Sequence, residues 1–289
     1  MSKAIGYQLR ALGRTPMPAV LEGPNGCGYR LVRTFKHDFF AGTGLYAPNA
    51  SGGPGGGGGT ARLVLKIGRR ADLLGIPLAW LGEALVRHEV SVLRRLQGLP
   101  GVPELLGPWR RQGLLYRYIE GDDLDQRPRL PDDFFDRLDE LVAGIHARQI
   151  AYVDLNKRGN ILLGADGRPH LLDFQIALYL PDAVWPLGRL LGGLRRLLQR
   201  EDRYHLAKHK RQLRPDLMTE AQRRQARRIS PWIALHRMCT RPLTLLRRRV
   251  LALLHRRGQL ALDEGPSQSA ETDPRRWHKK VKPGPRQSR

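Results

Sequence analysis

The chain has 289 residues, 41% of them apolar, long enough for one large domain or two lobes around an ordinary hydrophobic core. Its charge is unevenly spread: residues 1–183 hold 23 basic and 19 acidic side chains, whereas residues 184–289 hold 27 and 8. The positive field therefore belongs to the last third, where it attracts anionic partners without naming one. Two distant cysteines, Cys27 and Cys239, offer neither a disulfide framework nor a zinc site, and no run of about 18 uncharged apolar residues occurs. The start has no apolar signal region, so the expectation is a cytoplasmic, monomeric protein without a membrane span.

In chain order, residues 1–27 read as an N-terminal extension. Residues 28–40, "GYRLVRTFKHDFF", alternate as strands do. "AGTG" follows, placing Gly42 and Gly44 at a strand end, and the glycine run 52–59 reads as a flexible hairpin tip. "ARLVLKIG" is then a short buried strand carrying Lys66. The sequence contains no Gly-Lys pair, which excludes a Walker-type phosphate loop.

Residues 82–97 have helical periodicity, with Leu81, Leu85, Val92, Leu93 and Leu96 on one stripe. Glu89 lies four residues after Leu85 and four before Leu93, on that apolar face. An unpaired carboxylate there is costly, so a buried cation is expected to answer it. "GLLYRYIEGDDL" (113–124) reads as a strand running into a turn. Residues 131–149 read as a helix with Pro131 near its start and Phe135, Leu138, Leu141, Val142 and Ile145 inward. The loop "YVDLNKRGN" follows. The Asp166-Gly167 turn then folds "NILLGADGRPHLLDF" into a hairpin, which brings Asn160 and Asp173 to one end of it.

A strand lysine, a buried helix glutamate, a loop aspartate, an asparagine opening a hairpin and an aspartate closing it form an ordered set. Over roughly residues 30–180 this order resembles the protein-kinase-like fold. Lys66 resembles the lysine of V-A-I-K, and Glu89 its helix partner. Asp154 and Asn160 resemble the catalytic loop, and Asp173 in "DFQ" resembles the aspartate of D-F-G. "YRYIEG", with Tyr116 and Tyr118, resembles the hinge that holds adenine, and Gly42 and Gly44 the nucleotide-covering glycines.

The resemblance implies an α+β, two-lobed architecture. A small antiparallel-sheet N-lobe (28–118) would precede a reduced helical C-lobe (119–262) and a disordered basic tail (263–289). It also implies an ATP- and Mg2+-dependent phosphotransferase: Asp154, Lys66 and Glu89 catalytic, Asn160 and Asp173 on the metal, and Gly42, Gly44, Lys66, Tyr116 and Tyr118 on the nucleotide.

The chain departs from the regulated protein kinases. Asp154 and Asn160 are one residue further apart than in D-x-x-x-x-N, Tyr152 and Val153 replace His-Arg, Gln175 replaces the D-F-G glycine, and no A-P-E follows. These departures resemble the Rio-type and lipopolysaccharide core sugar kinases of bacteria. The acceptor implied is a hydroxyl on protein Ser/Thr or on a sugar of an envelope glycolipid.

Residues 187–200 and 241–258 read as basic amphipathic helices. Their leucines either complete the C-lobe or lie on an anionic membrane surface. Two other readings stand beside the phosphotransferase. One is a pseudokinase scaffold, favoured by the loop spacing, Val153 and Gln175. The other is a nucleic-acid binder acting through the basic tail, which carries no motif of a known recognition module.

Overall fold

The computed structural model describes residues 7–24, 26–49, 61–73, 75–182 and 187–225. The architecture is α+β, with a curled antiparallel sheet in the first half and few helices. Six strands form that sheet: β1 (Val20–Glu22), β2 (Gly28–His37), β3 (Ala41–Pro48), β4 (Leu63–Gly68), β5 (Leu105–Trp109) and β6 (Gly113–Arg117). Their order across the sheet is β1-β2-β3-β4-β6-β5. β4 is buried along its whole length, which is why "LVLKIG" is a continuous apolar run rather than an alternating one.

The two faces of β4 have different neighbours. Leu63, Leu65 and Ile67 pack with Tyr29, Tyr46 and Leu115, and also with Leu12, Met17 and Leu21 from the chain ahead of residue 28. The N-terminal extension thus supplies both an edge strand and part of the sheet's cover. Its apolar residues are spaced irregularly because a loop delivers Leu12 and Met17 and a three-residue strand delivers Leu21, so no periodicity announces them. Buried Arg69 fixes this segment: its guanidinium donates to the backbone oxygens of Gln8, Asp72 and Phe39 and lies 4.0 Å over the Phe39 ring.

Against the other face of β4 lies α1 (Ala79–Leu96). Its buried residues are Gly82, Val86, Glu89, Val90, Val92, Leu93 and Leu96, whereas Leu81 and Leu85 are half-buried. The inward stripe is therefore rotated from the expected one. Glycine permits this: a Cβ at Gly82 would overlap the backbone oxygen of Arg69, and one at Gly68 would stand 2.5 Å from the Gly82 oxygen. Backbone packs on backbone, and the glutamate two turns on is carried up to Lys66.

The chain then crosses through β7 (Gly121–Asp123) to α2 (Phe134–Ala147), whose buried Phe135, Leu138, Leu141, Val142 and Ile145 are the expected stripe. After β8 (Ile150–Ala151), the hairpin β9 (Ile161–Gly164) and β10 (Pro169–Leu171) pairs Ile161 with Leu171. β7 extends this pair to three strands, while β11 (Leu178–Tyr179) pairs with β8.

The long helix α3 spans Leu187–Leu213. Leu190 and Leu194 are exposed, and the face it buries is Asp202, His205, Leu206 and His209. Polar anchoring in its second half sets its rotation, not the leucine stripe of its first. No helix among the described residues is long and apolar enough to cross a membrane. The glycine run at 52–59, the helix expected at 241–258 and the tail lie outside the described residues.

Gly82→Ala tests the close approach of α1. Alanine normally favours a helix interior over glycine by about 1 kcal/mol, but overpacking here is expected to reverse the sign and destabilise by about 1–3 kcal/mol. Thermal denaturation is expected to show a lower Tm; a higher one would mean that the helix is not held by this contact.

Candidate functional site

The buried glutamate on α1 has its cation. Lys66 Nζ lies 2.7 Å from Glu89 Oε2 and 2.7 Å from Asp173 Oδ1, so one ammonium joins the sheet, the helix and the segment after β10. Burial pulls the lysine down, but the Asp173 and Glu89 carboxylates outweigh it and hold Lys66 well above its ordinary value. Burial pushes the Asp173 carboxyl up, and the ammonium groups of Lys66 and Lys36 more than reverse this, holding it well below the usual carboxylate range. Lys36, on β2, stands 3.9 Å from Asp173 and 2.7 Å from Asp38. Glu89 is raised by burial against the opposing pull of Lys66 and also accepts the backbone N–H of Phe174.

The second cluster belongs to the loop between β8 and β9. Asp154 accepts Lys157 Nζ and Asn160 Nδ2, each at 2.8 Å and both on Oδ2. No hydrogen bond from the described residues falls on Asp154 Oδ1. Burial raises the Asp154 pKa and Lys157 opposes the rise. The additional residue in this loop does not part the two side chains. Successive turns, from Lys157 N to Asp154 O and from Asn160 N to Lys157 O, absorb it.

The two clusters are neighbours through the hairpin. Leu172 N–H donates to Asn160 O at 2.9 Å, which puts Asn160 beside the start of the 173–175 segment, as the Asp166-Gly167 turn implied. Tyr152 donates its hydroxyl to Leu172 O and meets the Phe174 ring edge-on at 5.1 Å.

The site backbone is strained. Val153 has φ 69°, in the left-handed region that β-branched side chains seldom occupy, and Asp173 has φ 59°, which aspartate tolerates better. Asp202, fully buried on α3, holds the first of these. Its carboxylate accepts Tyr152 N–H at 2.9 Å and Val153 N–H at 2.8 Å, with His146 Nε2 at 3.0 Å. Farther along α3, Lys208 donates to Asn156, His209 Nε2–H donates to Leu155 O at 2.8 Å, and Arg158 donates back to Gln212. Asp202, His209 and Lys157 escaped the sequence reading. In "EDRYHLAKHKRQL" the charges look like a solvated face, and only the burial of every third or fourth polar residue reveals the anchor.

The remaining expected residues divide. Tyr116 lies on the Lys66 face of the sheet, packed against the core, and burial raises its hydroxyl pKa. Tyr118 stacks on Phe35 with centroids 6.0 Å apart and receives Arg62 over its ring. Gly42 and Gly44 are corrected: they lie within β3, not at its end above the site. Thr43 between them pairs with Lys66, so the glycines belong to the opposite face, where added Cβ atoms would meet Met17, Leu12 and Leu31. Alternation along the strand forces this, since residues one apart face opposite ways.

The donor set can be compared with what a metal ion asks. Among the described residues no three His, Cys, Asp or Glu side chains form a cage. Magnesium needs no such cage, because it takes one or two protein oxygens and fills its shell with water and phosphate oxygens. The Asp173 carboxylate and the Asn160 amide oxygen, whose Nδ2 is committed to Asp154, suit that requirement.

Two outcomes test this anchoring. Asp202→Ala strands two backbone N–H groups and His146, each worth about 1–3 kcal/mol when left buried without a partner, so a large drop in Tm is expected; an unchanged Tm would remove Asp202 as the anchor. Burial lowers His209 from 6.5 to about 4, so the folded state takes up its proton later than the unfolded chain does. The associated stability is complete above pH 6.5 and is lost as pH falls toward about 4, by at most about 3 kcal/mol. His209→Gln is expected to flatten that slope in pH-dependent thermal melts. The sequence matches no model of a known protein family and no curated protein, and the chemistry of the site rests on its own geometry.

Proposed function

We propose that the chain is an ATP- and magnesium-dependent phosphotransferase of the protein-kinase-like fold, moving the γ-phosphoryl group of ATP to a hydroxyl. The observation that carries this reading is the buried Lys66 ammonium, held 2.7 Å from Glu89 and 2.7 Å from Asp173, beside a second cluster in which Asp154 and Asn160 bond side chain to side chain. Phosphoryl transfer asks the protein for positioning and for neutralisation of charge rather than for covalent chemistry.

In that reading Lys66 contacts the nucleotide phosphates, with Glu89 fixing its Nζ. Asp173 and Asn160 hold the metal, which when bound neutralises charge on the phosphate oxygens. Asp154 keeps Oδ1 open to the acceptor hydroxyl while Lys157 and Asn160 hold Oδ2. Its raised pKa makes it a better proton acceptor than an exposed aspartate. Tyr116 and Tyr118 flank the backbone that would take the adenine. Lys157, close to Asp154, supplies a second cation for the transferred group.

Only 13 residues separate Asp173 from the start of α3 at Leu187, which leaves little chain for a docking segment and favours the Rio-type and lipopolysaccharide core sugar kinase side of the resemblance. Anchoring of the 152–158 loop by α3 favours a working site over a pseudokinase, since strain at Val153 is maintained only with a buried carboxylate committed to it.

Magnesium-ATP is expected to raise the Tm of the full chain, and ADP release is expected with a hydroxyl acceptor. Asp154→Asn is expected to keep the thermal shift while lowering turnover by about 10²–10⁴-fold, whereas Asp173→Asn is expected to lose the magnesium dependence of binding. Wild-type protein showing neither thermal shift nor ADP release would sink the reading.

A further inference from the structure

The segment between β7 and α2, Arg158 and the C-terminal end of α3 line a half-open pocket of about 540 Å³, in which Arg127 and Arg129 are exposed. Four arginines, Arg127, Arg129, Arg158 and Arg214, line it against a single acid, Asp132. Arg214 is already committed: it donates to Leu130 O at 2.8 Å, to Asp132 at 2.6 Å and to Asp216 at 2.8–3.1 Å, forming the wall of the cavity. Arg158 gives one N–H to Gln212 and keeps the rest of its fork. Asp132 is taken by Arg214. Among the described residues, no ion pair answers the charges of Arg127 and Arg129.

Its position matters as much. Arg158 is four residues after Asp154, on the same loop, and Leu124, which also lines the pocket, donates its N–H to Ile161 O, one residue past Asn160. The cavity thus shares a wall with the segment that carries Asp154 and Asn160. Arg127 stands at φ 54°, a strained backbone conformation for a residue with a side chain.

We propose that this cavity is the acceptor subsite and that it takes a phosphomonoester group, so that the acceptor is a hydroxyl compound of sugar size already bearing a phosphate. This rests on the phosphotransferase reading for its chemistry but not for its binding. Arginine forks match phosphate oxygens in pairs, and three of them, Arg127 and Arg129 from one segment and Arg158 from another, suit a dianion with three acceptor oxygens. A volume of about 540 Å³ falls in the range of small-molecule sites. In the reaction the acceptor hydroxyl oxygen bonds to the γ-phosphorus as the bond from that phosphorus to the β-bridging oxygen breaks. ADP leaves with that electron pair, and the hydroxyl proton passes to Asp154. The products are ADP and an acceptor carrying one phosphate more.

Calorimetric titration of the full-length chain tests this, using glucose 6-phosphate, glucose and a phosphoserine peptide as probes. R127Q/R129Q is compared with R30Q/R70Q, which removes the same charge from exposed positions elsewhere. Glucose 6-phosphate is expected to bind wild type and R30Q/R70Q alike and to bind R127Q/R129Q about tenfold or more weakly, with no binding of glucose. Equal affinity for both double variants, or no binding to wild type, overturns the proposal, and tighter binding of the phosphopeptide overturns the choice of a small acceptor. Magnesium-ATP thermal shifts, recorded on the same three proteins, separate the two ideas: their absence fails the phosphotransferase and leaves the titration result standing, while their presence with equal anion affinities fails only the cavity.

Discussion

One buried ammonium, Lys66, holds three parts of the molecule in register. A lysine taken out of water is costly alone, and so are Glu89 and Asp173; together they offset one another only while the geometry holds. β4 supplies the cation, α1 one carboxylate and the chain after β10 the other. The contact therefore fixes how the sheet meets the helical part. It leaves one carboxylate in excess, which Lys36 approaches from β2 at 3.9 Å. On the proposed reading this imbalance has a use: Asp173 can exchange a contact with Lys66 for one with a metal ion, and Lys66 can turn to phosphate without stranding Glu89.

The same economy governs the loop of Asp154. Val153 stands in a backbone conformation that a β-branched residue avoids, and the cost is of order 1–3 kcal/mol. Asp202 sustains it by accepting two successive N–H groups from beneath, while His209, Lys208 and Gln212 hold the next residues in turn. A loop with one residue more than the usual spacing would be free to wander if only its ends were fixed. Here α3 fixes its middle, and Asp154 still meets Asn160 at 2.8 Å.

What was legible in the sequence follows from where the signal is local. Glu89 was readable because a carboxylate on an apolar helical face demands a cation, and Lys66 sits in a run with no other polar side chain. Asn160 and Asp173 were readable because an Asp-Gly turn sets a hairpin's register. Asp202 was not, because its partners are backbone groups about 50 residues away and its neighbours are mostly charged. Gly42 and Gly44 were misplaced because glycine spacing does not say which face of a strand is which; only pairing of Thr43 with Lys66 does. Leu12, Met17 and Leu21 carry no legible period because the first two are delivered by a loop and the third by a strand of only three residues.

Charge shows the same limit. Residues 1–183 are close to neutral in sum, and the surplus sits in the last third. Yet three of the four arginines around the cavity, Arg127, Arg129 and Arg158, come from that near-neutral part. A net charge describes the field at long range, which salt screens within about 10 Å at 0.1 M. Recognition is decided within a few ångströms, by which cations lack partners. Arg214 shows this from the other side: it lies in the basic third, but Asp132 and Asp216 occupy it, so it builds the cavity wall instead of charging the cavity. The basic C-terminal third can gather anions near the protein, but choosing among them falls to arginines that the overall composition hides.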